Sequence, residues 1–365
     1  MSANVELSPP LGYRRGLDGM RALAVLLVAG VHTHPRLIPG GSIGVDVFFV
    51  LSGFLITSLL VEELDHRGRI HFGHFYIRRL LRLLPALLAL IAIVLVWATF
   101  VASPSTRHNA YMEVLASLSY TRNLTIWSHV PGTLLGHTWS LALEEQFYLL
   151  WPLVLTLCIR PRQGAMRMIA IFGAIFVLFG VVRLGHVQGP SLLFVERPEA
   201  LLLGSGLALF RREQSHRWVS ERVRSAAKAA VVLGAGGLVL LSMWNGADAM
   251  FSIGYSIAAL LSVALIFGLV VLDGDGPSRW FCGRWAVRFG QMSYGFYLWH
   301  MPVLRWVDDR LGATTALLRI PIGLGLALLA TMASYRWIET PALRLKARFR
   351  VPNVVERPAE VGQTN

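Results

Sequence analysis

The chain has 365 residues, of which 55% are hydrophobic and 15% charged, and its mean hydropathy is +0.55. That balance excludes a soluble globular domain and places the chain among polytopic membrane proteins. The formal net charge of +13 does not point to nucleic acid, because the basic residues sit in short clusters between apolar runs rather than on one patch.

Apolar runs occupy 22–31, 44–61, 86–102, 139–159, 168–184, 199–210, 229–243, 251–272, 293–304 and 314–335. A helix needs roughly 20 apolar residues to span a bilayer, fewer when aromatic and basic flanks anchor its ends. An all-α, transmembrane helical bundle of about ten spans follows. The basic clusters lie at Arg14-Arg15, Arg67 to Arg82, Arg160 to Arg167, Arg211 to Lys228, Arg279 to Arg288 and Arg344 to Arg350. If positive charge stays inside, they agree on one topology with both termini cytoplasmic, provided 103–137 does not cross. That region is the most polar long stretch between runs and reads as an external or re-entrant loop.

Along the chain, the first run carries Arg21 low and His32 high. Eleven residues separate them, about 16 Å of rise and within roughly 20° of one helix face. Arg21 could snorkel to the inner headgroups or belong to a path towards the other leaflet. No cleavage site follows this run, so no signal peptide is expected. The second run opens with Asp46. "HFGHFYIRRLLRLLPALLAL" precedes and enters the third, with Arg78, Arg79 and Arg82 among aromatic and leucine residues. Arg79 and Arg82, three apart, project together. They suit either an amphipathic helix on anionic headgroups or a guanidinium clamp for phosphates. "TWSLALEEQFYLLWP" puts Glu144 and Glu145 in the fifth run, and "SYGFYLWHMPV" puts His300 in the ninth.

Ionisable groups inside spans are costly, so each is a functional candidate. In the topology above, His32, Asp46, Glu144, Glu145 and His300 share one level near the outer surface and could line a polar chamber. A single histidine there could equally be an interfacial anchor, and a single glutamate a bridge between helices. The expected chemistry gives His32 proton transfer, Glu144 or Asp46 the task of orienting its ring, and His300 a second polar contact. Cys158 and Cys282 both fall at the cytoplasmic side, so no disulfide is expected. His32 with His34, and His71 with His74, have no spacing that argues for a metal.

Taken together these motifs resemble the acyltransferase-3 family of integral membrane O-acyltransferases. The resemblance is carried by Arg21 and His32 as basic-x10-His, "GVDVFFVLSGFLIT", "FYIRRLLRLLPA", "TWSLALEEQFYLLWP", "SYGFYLWHMPV" and "IETPALR", in order from about residue 12 to 345. It implies transfer of an acyl group, usually acetyl, from cytoplasmic acyl-CoA to a hydroxyl of a glycan or glycosylated product, in a bacterial-type inner membrane. By resemblance His32 is the essential histidine, acting as base or as an acyl relay, and Arg21 its basic partner. Arg79 and Arg82 are the pair linked to the donor side, Glu144 the acid the pattern fixes, and His300 part of a Tyr-Leu-x-His element. Three regions are expected: a tail at 1–11, the membrane domain at 12–345 and a tail at 346–365, without the esterase-like domain that many members append. The last fifteen residues read as disordered. The alternative from another class is a transporter or flippase of a glycolipid or polar metabolite.

Overall fold

The computed structural model describes residues 10–124, 134–159, 164–185, 197–214, 218, 220–244, 246, 250–312 and 316–349. Among these residues all regular structure is helical. The helices are α1 Arg15–Thr33, α2 Gly44–Arg67, α3 Phe72–Phe100, α4 Pro104–Leu118, α5 Trp139–Ile159, α6 Gly164–Gly185 and α7 Pro198–Gln214, then α8 Glu221–Ser242, α9 Tyr255–Leu272, α10 Arg284–Gln291, α11 Ser293–Leu311, α12 Ala316–Ser334 and α13 Thr340–Lys346.

Among the described residues, eight helical stretches are long and apolar enough to cross a membrane. The other two predicted runs are also helical but fall short for physical reasons. Helix α7 has 17 residues, and α11 ends in a polar turn with Arg305, Asp308, Asp309 and Arg310. Rows of large apolar side chains point outwards, among them Leu157, Val177, Leu233, Leu240 and Leu329. Such surfaces are a liability in water and ordinary against lipid. Pro85, Pro152, Pro302 and Pro321 all lie inside helices, which membrane bundles tolerate because neighbouring groups satisfy the freed carbonyls.

The main core joins α1, α2, α7 and α9 through Met20, Val25, Phe49, Val50, Leu201 and Leu265. Helices α2 and α7 cross almost backbone to backbone. A Cβ on Gly53 would come within 1.9 Å of the Leu201 carbonyl, and one on Gly204 within 1.9 Å of the Val50 carbonyl. Small residues permit that approach where lipid supplies no hydrophobic drive between helices. A second core packs Ile56 and Leu60 of α2 on Tyr148, Trp151 and Leu155 of α5 and Phe172 of α6. A third sets Leu87, Leu90 and Val94 of α3 against Leu298 and Trp299 of α11.

Region 103–137 is built differently from the expected loop. It contains α4, capped by Ser103, whose hydroxyl accepts from the Thr106 N–H, with proline at the first turn. At 15 residues α4 is too short to span. Its fully buried Glu113 accepts the backbone N–H groups of Leu134 and Leu135 at 3.0 and 3.1 Å. The chain is thereby fixed just ahead of α5.

Helical structure continues across the boundary expected at 345/346. Helix α12 runs through a π-helical turn, Tyr335–Glu339, into α13. Lys346 ends α13, and the Phe349 carbonyl accepts from Arg78 Nη1 at 3.1 Å. The chain therefore stays docked on α3 to residue 349. The disordered stretch expected over the last fifteen residues lies outside the described residues, as does most of the N-terminal tail.

Candidate active site

A cavity of about 1220 Å³ opens between α1, α2, α3, α5, α11 and the α12–α13 helix. Arg21, Arg78, Arg79 and Arg82 all line it, joined by Lys346. The cavity thus gathers all four arginines singled out in the sequence. Arg21 is held by Asp18, one turn earlier, at 2.5 Å, and Arg78 lies 3.5 Å from Glu63. The Arg79 guanidinium rests 4.5 Å from the centre of the Tyr148 ring, a cation–π contact. Neither Arg79 nor Arg82 has an ion-pair partner among the described residues. Cations without partners in a half-closed cavity are costly unless an anion visits.

Glu144 belongs to this cavity rather than to His32. Its carboxylate accepts hydrogen bonds from the hydroxyls of Ser52 and Tyr148, both cavity-lining residues. Tyr148, tied down in this way, forms the surface under Arg79. The adjacent Glu145, about 100° further round the helix, keeps one buried oxygen unpartnered among the described residues.

Three histidines gather beyond the end of the cavity. His32 lies 5.2 Å from His300, ring centre to ring centre, and His300 lies 5.4 Å from His137. His32 is open at the end of α1, whereas His300 and His137 are buried. Helical geometry delivers the first two directly. His137 comes from the 3₁₀ turn Gly136–Thr138 before α5, set by the Glu113 contacts above and by a 2.8 Å bond between Ser117 and Thr138. Sequence reasoning passed over His137 because one histidine beside a span start carries no pattern. Its only signal is its place two residues ahead of Trp139.

The ring-orienting role expected of Glu144 or Asp46 is not what the structure contains. Nδ1 of His32 faces the Val28 carbonyl at 2.8 Å, and Nδ1 of His300 faces the Tyr297 carbonyl at 2.6 Å. A carbonyl only accepts, so each Nδ1 carries hydrogen and each Nε2 presents a lone pair. Backbone carbonyls fix the tautomers here, and no carboxylate is needed for it. Asp46, 1% exposed, is committed instead to Arg197 at 2.5 Å. Arg197 in turn lies 3.8 Å from the centre of the Tyr255 ring and 5.5 Å from that of Trp139. Next to it Arg183 and Glu199 form a second buried ion pair. These charges went unmarked in the sequence although "VVRLG" and "VERPEALLLG" put them at span ends.

Tyr297 is the wall between the two ends. It lines the cavity, and its ring centre lies 5.4 Å from His137 and 5.5 Å from His300. Its hydroxyl bonds Ser140 at 2.6 Å and donates to the His137 carbonyl at 2.9 Å. A cationic cavity and an imidazole cluster thus meet across one side chain. Among the described residues no three His, Cys, Asp or Glu side chains are grouped to hold a metal ion. Cys158 and Cys282 are both free thiols.

Such an arrangement defines a membrane-embedded helical protein with one polyanion-suited cavity and one basic imidazole site. A family model described as an acyltransferase domain matches residues 14–336, and the chain belongs to this acyltransferase-3 family. Among its most similar relatives are O-acetyltransferase OatA of Staphylococcus aureus strain NCTC 8325 / PS 47, 30% identical over 353 residues, and the same-named protein of strain COL, also 30% identical over 353 residues. The provisionally named O-acetyltransferase SAS0844 of strain MSSA476 is 30% identical over 358 residues. In each case the match covers 90% of this chain and 57% of the relative, so the chain spans little more than half the length of the curated relatives it matches. No solved structure matches it.

Proposed function

We propose that the chain is a membrane O-acyltransferase that takes an acyl group, acetyl in the first instance, from acyl-CoA bound in the arginine-lined cavity. The group is placed on a hydroxyl of a carbohydrate presented at the His32 end. One observation carries the reading: Arg79 and Arg82, without ion-pair partners, line a cavity that ends at Tyr297, directly against a histidine cluster with basic Nε2 atoms. Family membership and the relatives' names support it. The volume of the cavity exceeds that of most small-ligand pockets, which fits a long nucleotide thioester. The charge pattern supports a cytoplasmic location for the cavity mouth and an inner-membrane setting.

The donor supplies an activated thioester carbonyl. Arg79 and Arg82 bind its phosphates, with Arg21 and Arg78 framing the same cavity. His32 Nε2 accepts the proton of the acceptor hydroxyl as its oxygen bonds to the acyl carbon. General-base assistance of this kind is worth roughly 10²–10⁴ in rate. The carbon–sulfur bond breaks and the thiolate leaves into the cavity; the proton held on His32 Nε2 passes through water to that thiolate, which leaves as the thiol and returns the histidine to its neutral form. Tyr297 stands where the donor cavity meets the histidine cluster, so the thioester carbonyl reaches past its ring to meet the hydroxyl.

The test is isotope transfer. The purified chain is reconstituted in liposomes and given [14C]acetyl-CoA with a mixture of methyl glycosides. Alkali-labile label on the glycosides is the expected result. Vesicle uptake of glycoside without ester formation would overturn the proposal in favour of a transporter.

A further inference from the structure

The cationic cavity contains one member that the pair on α3 does not explain. Among its basic residues, Arg14 pairs with Asp273, Arg21 with Asp18 and Arg78 with Glu63, while His66 and Arg67 of α2 also line it. Arg79, Arg82 and Lys346 have no ion-pair partner among the described residues. The three remaining carboxylates of the cavity are already engaged: Glu62 by the Leu11 N–H at 2.5 Å and by Arg211 at 3.5 Å, Glu144 by Ser52 and Tyr148, and Glu339 by Ser334 at 3.1 Å.

Lys346 reaches the cavity from a separate element. It ends α13, beyond residue 336 where the family match stops, and it lies within electrostatic reach of Arg21, Arg78, Arg79 and Arg82. Its position is built rather than incidental. The turn that follows, Ala347–Phe349, is tied to α3 by the bond from Arg78 to the Phe349 carbonyl and by the Phe349 ring, 6.3 Å from His74. Bringing Lys346 towards these arginines is unfavourable in the free protein, and a multiply charged anion between them offsets that cost.

Arg79 and Arg82 share one helix face, which suits bidentate contact with adjoining phosphates. Lys346 approaches from another helix and offers a compact point charge. A phosphate monoester carries nearly two charges, more than either phosphate of an internal diphosphate, and gains most from such a cation. We propose that Lys346 binds a third phosphate of the donor, the ribose phosphate monoester that distinguishes coenzyme A from dephospho-coenzyme A. In this way α13 selects the fully phosphorylated thioester. This assignment rests on the acyl-CoA reading of the cavity.

The experiment is calorimetric titration of coenzyme A and of dephospho-coenzyme A into the full chain in phosphatidylcholine nanodiscs, where no anionic headgroup competes. Wild type is expected to favour coenzyme A by about tenfold, the effect of one charge-assisted contact. Lys346→Gln should weaken coenzyme A by that factor, leave dephospho-coenzyme A unchanged and so erase the preference; Lys346→Arg should keep it. Equal affinities in wild type, or an equal loss for both ligands in Lys346→Gln, would overturn the assignment alone. Failure of wild type to bind either ligand would overturn the donor reading with it. Lys346 is half-buried and makes no ion pair among the described residues, so the glutamine variant is expected to fold.

Discussion

Removing the Asp46 carboxylate is expected to unfold the protein before it slows any chemistry. Asp46 is 1% exposed and 2.5 Å from Arg197, whose side chain is 4% exposed. Asp46→Ala takes this carboxylate away from the buried guanidinium, and breaking a buried pair from one side costs about 3–5 kcal/mol. The Tyr255 and Trp139 rings beside Arg197 offset part of that loss, since a desolvated cation–π contact is worth about 2 kcal/mol, so the lower end applies. At 1.36 kcal/mol per decade, the folded-to-unfolded ratio falls by at least about 10². Replacing both partners, Asp46→Leu with Arg197→Met, should recover most of it, because a buried pair and a packed apolar pair are near equal in energy. Thermal unfolding in detergent, read by tryptophan fluorescence, gives the stabilities, and ester formation is measured on the same samples below the melting range. An Asp46→Asn protein that melts like wild type yet forms no ester would refute this reasoning and return Asp46 to the chemistry.

Other outcomes follow from the same geometry. His137→Phe keeps a ring against His300 and Tyr297 but removes both nitrogens; ester formation should fall at least about tenfold with coenzyme A binding unchanged by titration. Glu144→Gln weakens acceptance from Tyr148 and loosens the surface under Arg79. It should raise the KM for acetyl-CoA by about tenfold while kcat changes little, and a loss confined to kcat would place Glu144 in proton transfer instead.

Much of the architecture was legible because membranes demand it. Every predicted apolar run forms a helix where described, to within two residues of its ends, and the Arg79–Arg82 spacing put two guanidinium groups on one helix face, which lines the cavity. The convergence of His32 and His300 could be argued from depth, since both lie at determinable heights along their helices. Partner choice could not. Depth says nothing about rotation, so Asp46 and Glu144 read as neighbours of His32, whereas α2 turns Asp46 to Arg197 and α5 turns Glu144 to Ser52. His137 was hidden for another reason. Its position depends on Glu113, 24 residues earlier, gripping a backbone turn, and no local periodicity encodes that contact. Lys346 reads as tail because the last motif of the resemblance ends at Arg344, while the helix continues through a π turn to Lys346.

In the proposed reaction His32 removes a proton and holds no part of the donor. This role is tested by measuring His32→Ala twice on one preparation: coenzyme A affinity by titration, and [14C]acetyl transfer to methyl glycosides. Wild-type affinity with transfer reduced by about 10²–10⁴ is the expected result. Wild-type transfer in that variant, or a loss of transfer matched by an equal loss of coenzyme A binding, would contradict it.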